Sequence, residues 1–300
     1  MTTGYTSLTY PNGRSLIAAL TVRRERPLPV SASPFVSVGE HVSAERVLAE
    51  RRDGQGIQGV LAGIAGAVTA VTVGRSVTIE GKATLLNGMI GVGLPAAGAL
   101  YAIPRGESLA VAYIPHGSVL VHPTRAPMML LQRALAAGAA GVIAASMSAL
   151  ELEAFARADL TATLEGLAPP TPSQPLTVVL TEGVGEAVMD STVWRLLARR
   201  LGDIALLNGQ TLPEYAIRPE ILLSVPESSD TQRAPLSSEL TIGALVKVWS
   251  GVARGARGRI TYLFTHERMT TGGQWEPSAQ IQLDDGSSLV VPLQQLDVID

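Results

Sequence analysis

Four cations and an indole crowd one short stretch of this sequence. Lys247, Trp249, Arg254, Arg257 and Arg259 all fall within GALVKVWSGVARGARGRITYL, which runs from Gly243 to Leu263. Cations of this kind meet phosphates or carboxylates, and an indole offers a stacking face. A second candidate is LTEGVGEAVMDS, from Leu180 to Ser191, where Thr181, Glu182, Gly183 and Gly185 stand between an apolar run and an amphipathic one. In open α/β sheets ligands sit beyond the strand C-termini, and helix N-termini favour anions. Glu182, Glu186 and Asp190 would repel phosphate there, and the glycine spacing is not a nucleotide fingerprint. A small molecule or a metal ion is the ligand this loop suits, and a solvated connection with glycines for turn geometry is the alternative.

The remaining reactive side chains form no known constellation. His41, His116, His122 and His266 show no HExxH spacing, no GxSxG elbow occurs, and there is no cysteine. No catalytic residue, metal ligand or cofactor is therefore assigned. The absence of cysteine fits a reducing cytosol, and the first residues, MTTGYTSLTYPNGRS, lack a basic segment followed by an apolar core. The apolar stretches Gly88–Pro104 and Ala134–Leu150 are glycine-broken and fall short of the roughly 20 residues a membrane helix needs. The expectation is a cytoplasmic chain without membrane insertion.

The elements that would position these residues follow from periodicity. With 300 residues, 46% apolar, the chain is long enough for more than one core, and the net charge of −3 gives it no global pull on phosphates. The first part, residues 1–115, reads as β: Val71, Val73, Val77 and Ile79 alternate with polar residues around a Gly74-Arg75 turn. Residues 116–223 alternate strands with helices, which predicts an α/β domain with a mainly parallel sheet. There GSVLVHP is a strand, Thr124 caps a helix that Pro127 opens and Gly138 stops, and AGVIAAS is a buried strand. Ser148 caps a second helix, LTVVLT is a strand ending at Thr181, Asp190 or Ser191 caps a third helix, and DIALLN is a further strand. Residues 224–239 are polar and aperiodic, a linker. Residues 240–300 alternate again, with an Asp285-Gly286 hairpin signal, and predict a small barrel of about five strands.

Gly243, Val246, Val248, Gly251, Gly255, Gly258 and Ile260 resemble the KOW motif of SH3-like barrels in ribosomal proteins and transcription elongation factors. That resemblance implies a module whose loops contact RNA or protein through Lys247, Trp249, Arg254, Arg257 and Arg259. Against RNA, residues 240–300 carry five basic and six acidic side chains, and nucleic-acid binders are usually basic. Val36, Gly39, Glu40 and Val42, followed by Gly66 and Val68, are similar to the phrases of a barrel-sandwich hybrid, the fold of lipoyl and biotinyl carriers. The carrier lysine has no counterpart at the Gly74-Arg75 turn; Lys82 lies just beyond it. LQRALAAGAAGVIAAS looks like the helix–strand phrase of swivelling and protease-associated-type domains, which are usually noncatalytic. Taken together, Thr181-Glu182-Gly183-Val184-Gly185 and Arg218-Pro219-Glu220-Ile221 resemble phrases of an uncharacterised bacterial family with a KOW-like tail. The sequence thus points to a noncatalytic adaptor with a KOW-like head for a protein or ribonucleoprotein partner. An RNA-binding factor of transcription or translation, and a ligand-binding or enzymatic α/β domain using the Thr181–Gly185 loop, are its alternatives.

Overall fold

A computed structural model describes residues 7–9, 16–30, 32–53, 56–104, 106–158, 176–211, 218–225, 239–249, 253, 255–264, 266–269 and 275–298. The expected linker falls largely outside these, as does Arg254. The protein is mostly β, 49% strand against 13% helix.

In chain order the strands are β1 (Ser7–Thr9), β2 (Leu16–Pro27), β3 (His41–Val42), β4 (Val47–Asp53), β5 (Gly56–Leu61), β6 (Gly66–Thr72) and β7 (Ser76–Asn87). Then come β8 (Ile90–Val92), β9 (Ala96–Tyr101), β10 (Val119–Arg125), helix α1 (Met128–Ala136), β11 (Gly141–Met147), α2 (Ala149–Ala156) and β12 (Thr177–Val184). Helix α3 (Ser191–Arg199) leads to β13 (Ile204–Asn208) and β14 (Glu220–Ser224). The last group is β15 (Glu239–Thr241), β16 (Leu245–Val248), β17 (Arg257–Leu263), β18 (Arg268–Met269), β19 (Trp275–Glu276), β20 (Ser278–Leu283), β21 (Ser288–Pro292) and β22 (Leu296–Val298).

One large sheet runs β3-β6-β7-β14-β13-β9-β10-β11-β12-β8, with β2 also on β7. It crosses the division expected at residues 115 and 116: β7 pairs with β14, β8 with β12, and β9 with both β10 and β13. Only β9, β10, β11 and β12 run parallel; their flanking strands are antiparallel. The sheet is therefore mixed rather than mainly parallel. After α3 the chain enters β13 beside the C-terminal end of β9, with Ile204 opposite Ala99, and so runs against the parallel strands.

β11 is buried at all seven positions, because helices cover both faces. Val142 and Ala144 face a core shared with Leu130, Leu131 and Leu152 of α1 and α2, while Ile143 and Ala145 face Val193 and Leu197 of α3. A separate core lies under the first strands, around Leu48, Ile64 and Ile79. Here the two phrases flanking Gly39 and Val68 are hydrogen-bonded to each other, Gly39 N–H to Val68 O at 2.8 Å and Val68 N–H to Glu40 O at 2.9 Å. Lys82 sits inside β7 opposite Thr21, away from any hairpin tip.

Two helix starts differ in detail from the sequence expectation, and at α2 the expected Ser148 holds the N-cap position without a side-chain hydrogen bond. Thr124 is part of β10 and its hydroxyl meets His122 Nε2, so it does not cap α1. The first amide of that helix, Met128 N–H, donates instead to Glu151 Oε1 at 3.2 Å, a carboxylate supplied by α2. Asp190 does cap α3, accepting from Thr192 N–H and Val193 N–H.

The last strands form a five-stranded antiparallel sheet, β21-β20-β17-β16-β22, with its own core of Val246, Val248, Ile260, Ile281 and Leu296. Gly258 faces β20 so closely that a Cβ there would stand 2.4 Å from Gln282 O. The β20–β21 hairpin turns at Asp285-Gly286, where Gly286 has φ +83°, a conformation that side chains with a Cβ disfavour. Its start is tied to the other end of the chain, since β15 pairs with β1.

Candidate interface between the C-terminal sheet and the large sheet

Alternation along β16 turns Val246 and Val248 into the core of the small sheet and Lys247 to its other face. Cross-strand register then builds a row of charge. Lys247 lies opposite Arg257 of β17 on one side and opposite Asp297 of β22 on the other. Two cations side by side repel, so this row needs an anion in front of it.

The large sheet supplies one. Glu182, in β12, places Oε2 2.7 Å from Lys247 Nζ and 3.6 Å from Arg257 Nη2. The Lys247 and Glu182 side chains are each 8% exposed, whereas Arg257 is half out in solvent. A second pair closes the joint from the other direction. Arg218, just before β14, grips Asp297 with both terminal nitrogens, Nη2 to Oδ2 at 2.6 Å, and Nη2 also reaches Gly88 O at 3.4 Å. Both side chains are buried, 4% and 0% exposed. The same guanidinium lies 4.5 Å over the ring of Trp249, which is 2% exposed. A cation on an aromatic face is worth up to about 2 kcal/mol when desolvated.

The two candidate sites read from the sequence therefore meet. Lys247 and Trp249, expected on a contact surface, are packed between the two sheets. Glu182, expected in a ligand loop, is the anion that receives Lys247. Its neighbours are equally committed: Thr181 is buried with its hydroxyl 3.4 Å from Ala144 O, and Gly185 N–H donates to Met147 O at 2.8 Å. β12 continues through Glu182 and Gly183 to Val184, so the strand outlasts Thr181. Gly183 and Gly185 take φ +95° and +111°. Arg259 remains exposed, with Nη1 on Gly243 O.

Arg218 and Asp297 are the residues that sequence reasoning missed. Arg218 did stand in the RPEI phrase, and its partner was 79 positions away. Glu220 of the same phrase makes a two-pronged bond to Arg24 of β2, both contacts at 2.7 Å. The TEGVG and RPEI phrases are thus joints between distant segments. As chemistry, the joint sets two carboxylates, Glu182 and Asp297, against three cations, Lys247, Arg257 and Arg218, so each carboxylate is already engaged.

Outside the joint, the small sheet carries an exposed aromatic group. Tyr262, 48% exposed, meets Phe264 edge-on at 5.1 Å, and the Arg268 guanidinium lies 4.3 Å over Phe264. Nearby in the chain, Met269 and Trp275 are cross-strand partners, each 65% exposed. No family model matches the chain, and neither a curated protein nor a solved structure does.

Proposed function

We propose that this chain is a noncatalytic cytosolic adaptor whose KOW-like, SH3-like barrel presents a binding surface to a protein or ribonucleoprotein partner. In this reading residues 1–115 form a barrel-sandwich-like β unit, and residues 116–223 supply the α/β part of the body. The head is docked on that body rather than hung from it, and the partner meets what docking leaves outside. The observation that carries the proposal is the exposure of Tyr262, Arg268, Met269 and Trp275 around the half-buried Phe264, on which both Tyr262 and Arg268 pack. Aromatic residues, methionine and arginine are the types enriched at protein interfaces, and tryptophan and arginine supply most hot spots.

RNA is the second reading, favoured by Arg257 and Arg259 exposed on the same strand as Tyr262. Aromatic faces beside arginines suit unstacked bases and phosphates. A ligand role for the Thr181–Gly185 loop is the weaker alternative, since Glu182 already faces two cations.

A pull-down with the full chain, with and without nuclease, separates the readings. A nuclease-resistant partner lost on Trp275→Ala and Arg268→Ala supports the adaptor, with each hot-spot loss about 2 kcal/mol. A nuclease-sensitive partner, with RNA affinity falling steeply with salt and a slope reduced by about one on Arg259→Ala, supports RNA. Capture of nothing in either arm, or capture indifferent to all three substitutions, overturns both.

A further inference from the structure

A cavity of about 130 Å³ opens at the C-terminal edge of the parallel strands. Its lining comes from four places: Ala102 and Ile103 after β9, Leu120 to Pro123 of β10, Leu130 of α1, and Trp194 of α3. The two helices lie on opposite faces of the sheet. Leu130 belongs to the core under α1 and α2, and Trp194 packs against the core under α3. The end of β10 thus stands between the two helices, at the C-terminal edge of the strands, the edge where open α/β sheets take ligands.

Size and lining together select the occupant. Pockets for drug-sized molecules and cofactors run to roughly 300–1,000 Å³, so a nucleotide is excluded. A dry apolar cavity of roughly 150 Å³ takes a benzene ring. Among the described residues the walls are aliphatic apart from two flat side chains, Trp194 and His122, and hold no carboxylate, lysine or arginine. His122 is held in place by the Thr124 hydroxyl, 3.1 Å from Nε2. Burial pushes its pKa below the ordinary histidine value, against a smaller opposing effect of the Arg125 backbone, so the imidazole is neutral at pH 7. A charged guest would lose its hydration and find no counter-ion.

We propose that this cavity is a binding site for an uncharged, phenol-sized aromatic ring, seated between Trp194 and His122. The site is separate from the joint and does not depend on the adaptor reading.

The test uses the full ¹⁵N-labelled chain, with phenol as probe and benzylammonium and benzoate as charged controls of similar size. Phenol is expected to shift the indole N–H signal of Trp194, assigned through Trp194→Phe, while those of Trp249 and Trp275 stay in place. Ala102→Phe, which puts a ring into the cavity, is expected to weaken phenol at least tenfold. The Trp194 signal in the unaltered chain decides the matter if that variant does not fold. No shift of Trp194 with phenol, equal shifts with the charged controls, or undiminished binding in folded Ala102→Phe would each overturn the proposal.

Discussion

Removing Asp297 should loosen the whole C-terminal sheet from the body. In Asp297→Ala the Arg218 guanidinium, 4% exposed, keeps only the Trp249 face at 4.5 Å and the Gly88 carbonyl at 3.4 Å among its described contacts. A buried charge deprived of its partner costs about 3–5 kcal/mol. Replacing both members by apolar residues, Arg218→Met with Asp297→Leu, removes the charge along with the partner and should cost far less, about 1 kcal/mol or under. The double-mutant cycle, closed with Arg218→Met and Asp297→Leu as its single variants, should thus return a coupling of at least about 2 kcal/mol. Because both groups are buried, the coupling should survive high salt, unlike that of an exposed pair. Urea unfolding followed by tryptophan emission reads it directly, since Trp249 lies in the joint. A cost below about 1 kcal/mol for Asp297→Ala, or singles that simply add in the double variant, would refute the claim that this pair fastens the two sheets.

Three further outcomes follow from single residues. Gly258→Ala should destabilise by about 2 kcal/mol in thermal melts, because its Cβ would stand 2.4 Å from Gln282 O; an unchanged melting temperature would contradict that close approach. Asp190→Ala should cost about 1 kcal/mol by denaturant titration and Asp190→Ser much less, since the carboxylate caps two amides of α3. His122 gives a pH signature: its folded pKa is depressed by burial, so the unfolded chain binds the proton more tightly. Its contribution to stability is complete above the unfolded value near 6.5 and is lost as pH falls through the folded one. Melting temperatures of the parent should therefore drop more between pH 7 and 5 than those of His122→Phe, and parallel curves would count against it.

Local features were legible in the sequence because their causes are local. The Asp285-Gly286 turn, the buried run of β11 and the Asp190 cap each depend on a few adjacent residues. The α1 cap was misread because a carboxylate 23 positions along replaces the threonine nearby. Strand direction was hidden as well: alternating strands and helices suggest parallel order, but β8 and β13 join the parallel strands β12 and β9 antiparallel, pairings made between segments far apart in the chain. The joint was the least legible part. An outward position in a strand looks the same whether it faces water or another sheet, so Lys247 read as a surface cation. Its partner Glu182, 65 positions away, read as a ligand group. What the sequence did carry was the identity of both ends, without the fact that they touch.

The route of the large sheet also sets an order of events during synthesis. Leu86 of β7 pairs with Ile221 of β14, so one flank of β7 has no native partner until the chain beyond Ser224 has emerged. At about 5–20 residues per second, that wait is on the order of ten seconds on the ribosome. Throughout it, residues 83–87 present an open strand edge with two leucines, Leu85 and Leu86, to neighbouring nascent chains. A chain cut before β14 should therefore keep that edge open and self-associate more readily than the full chain, even where its own strands fold.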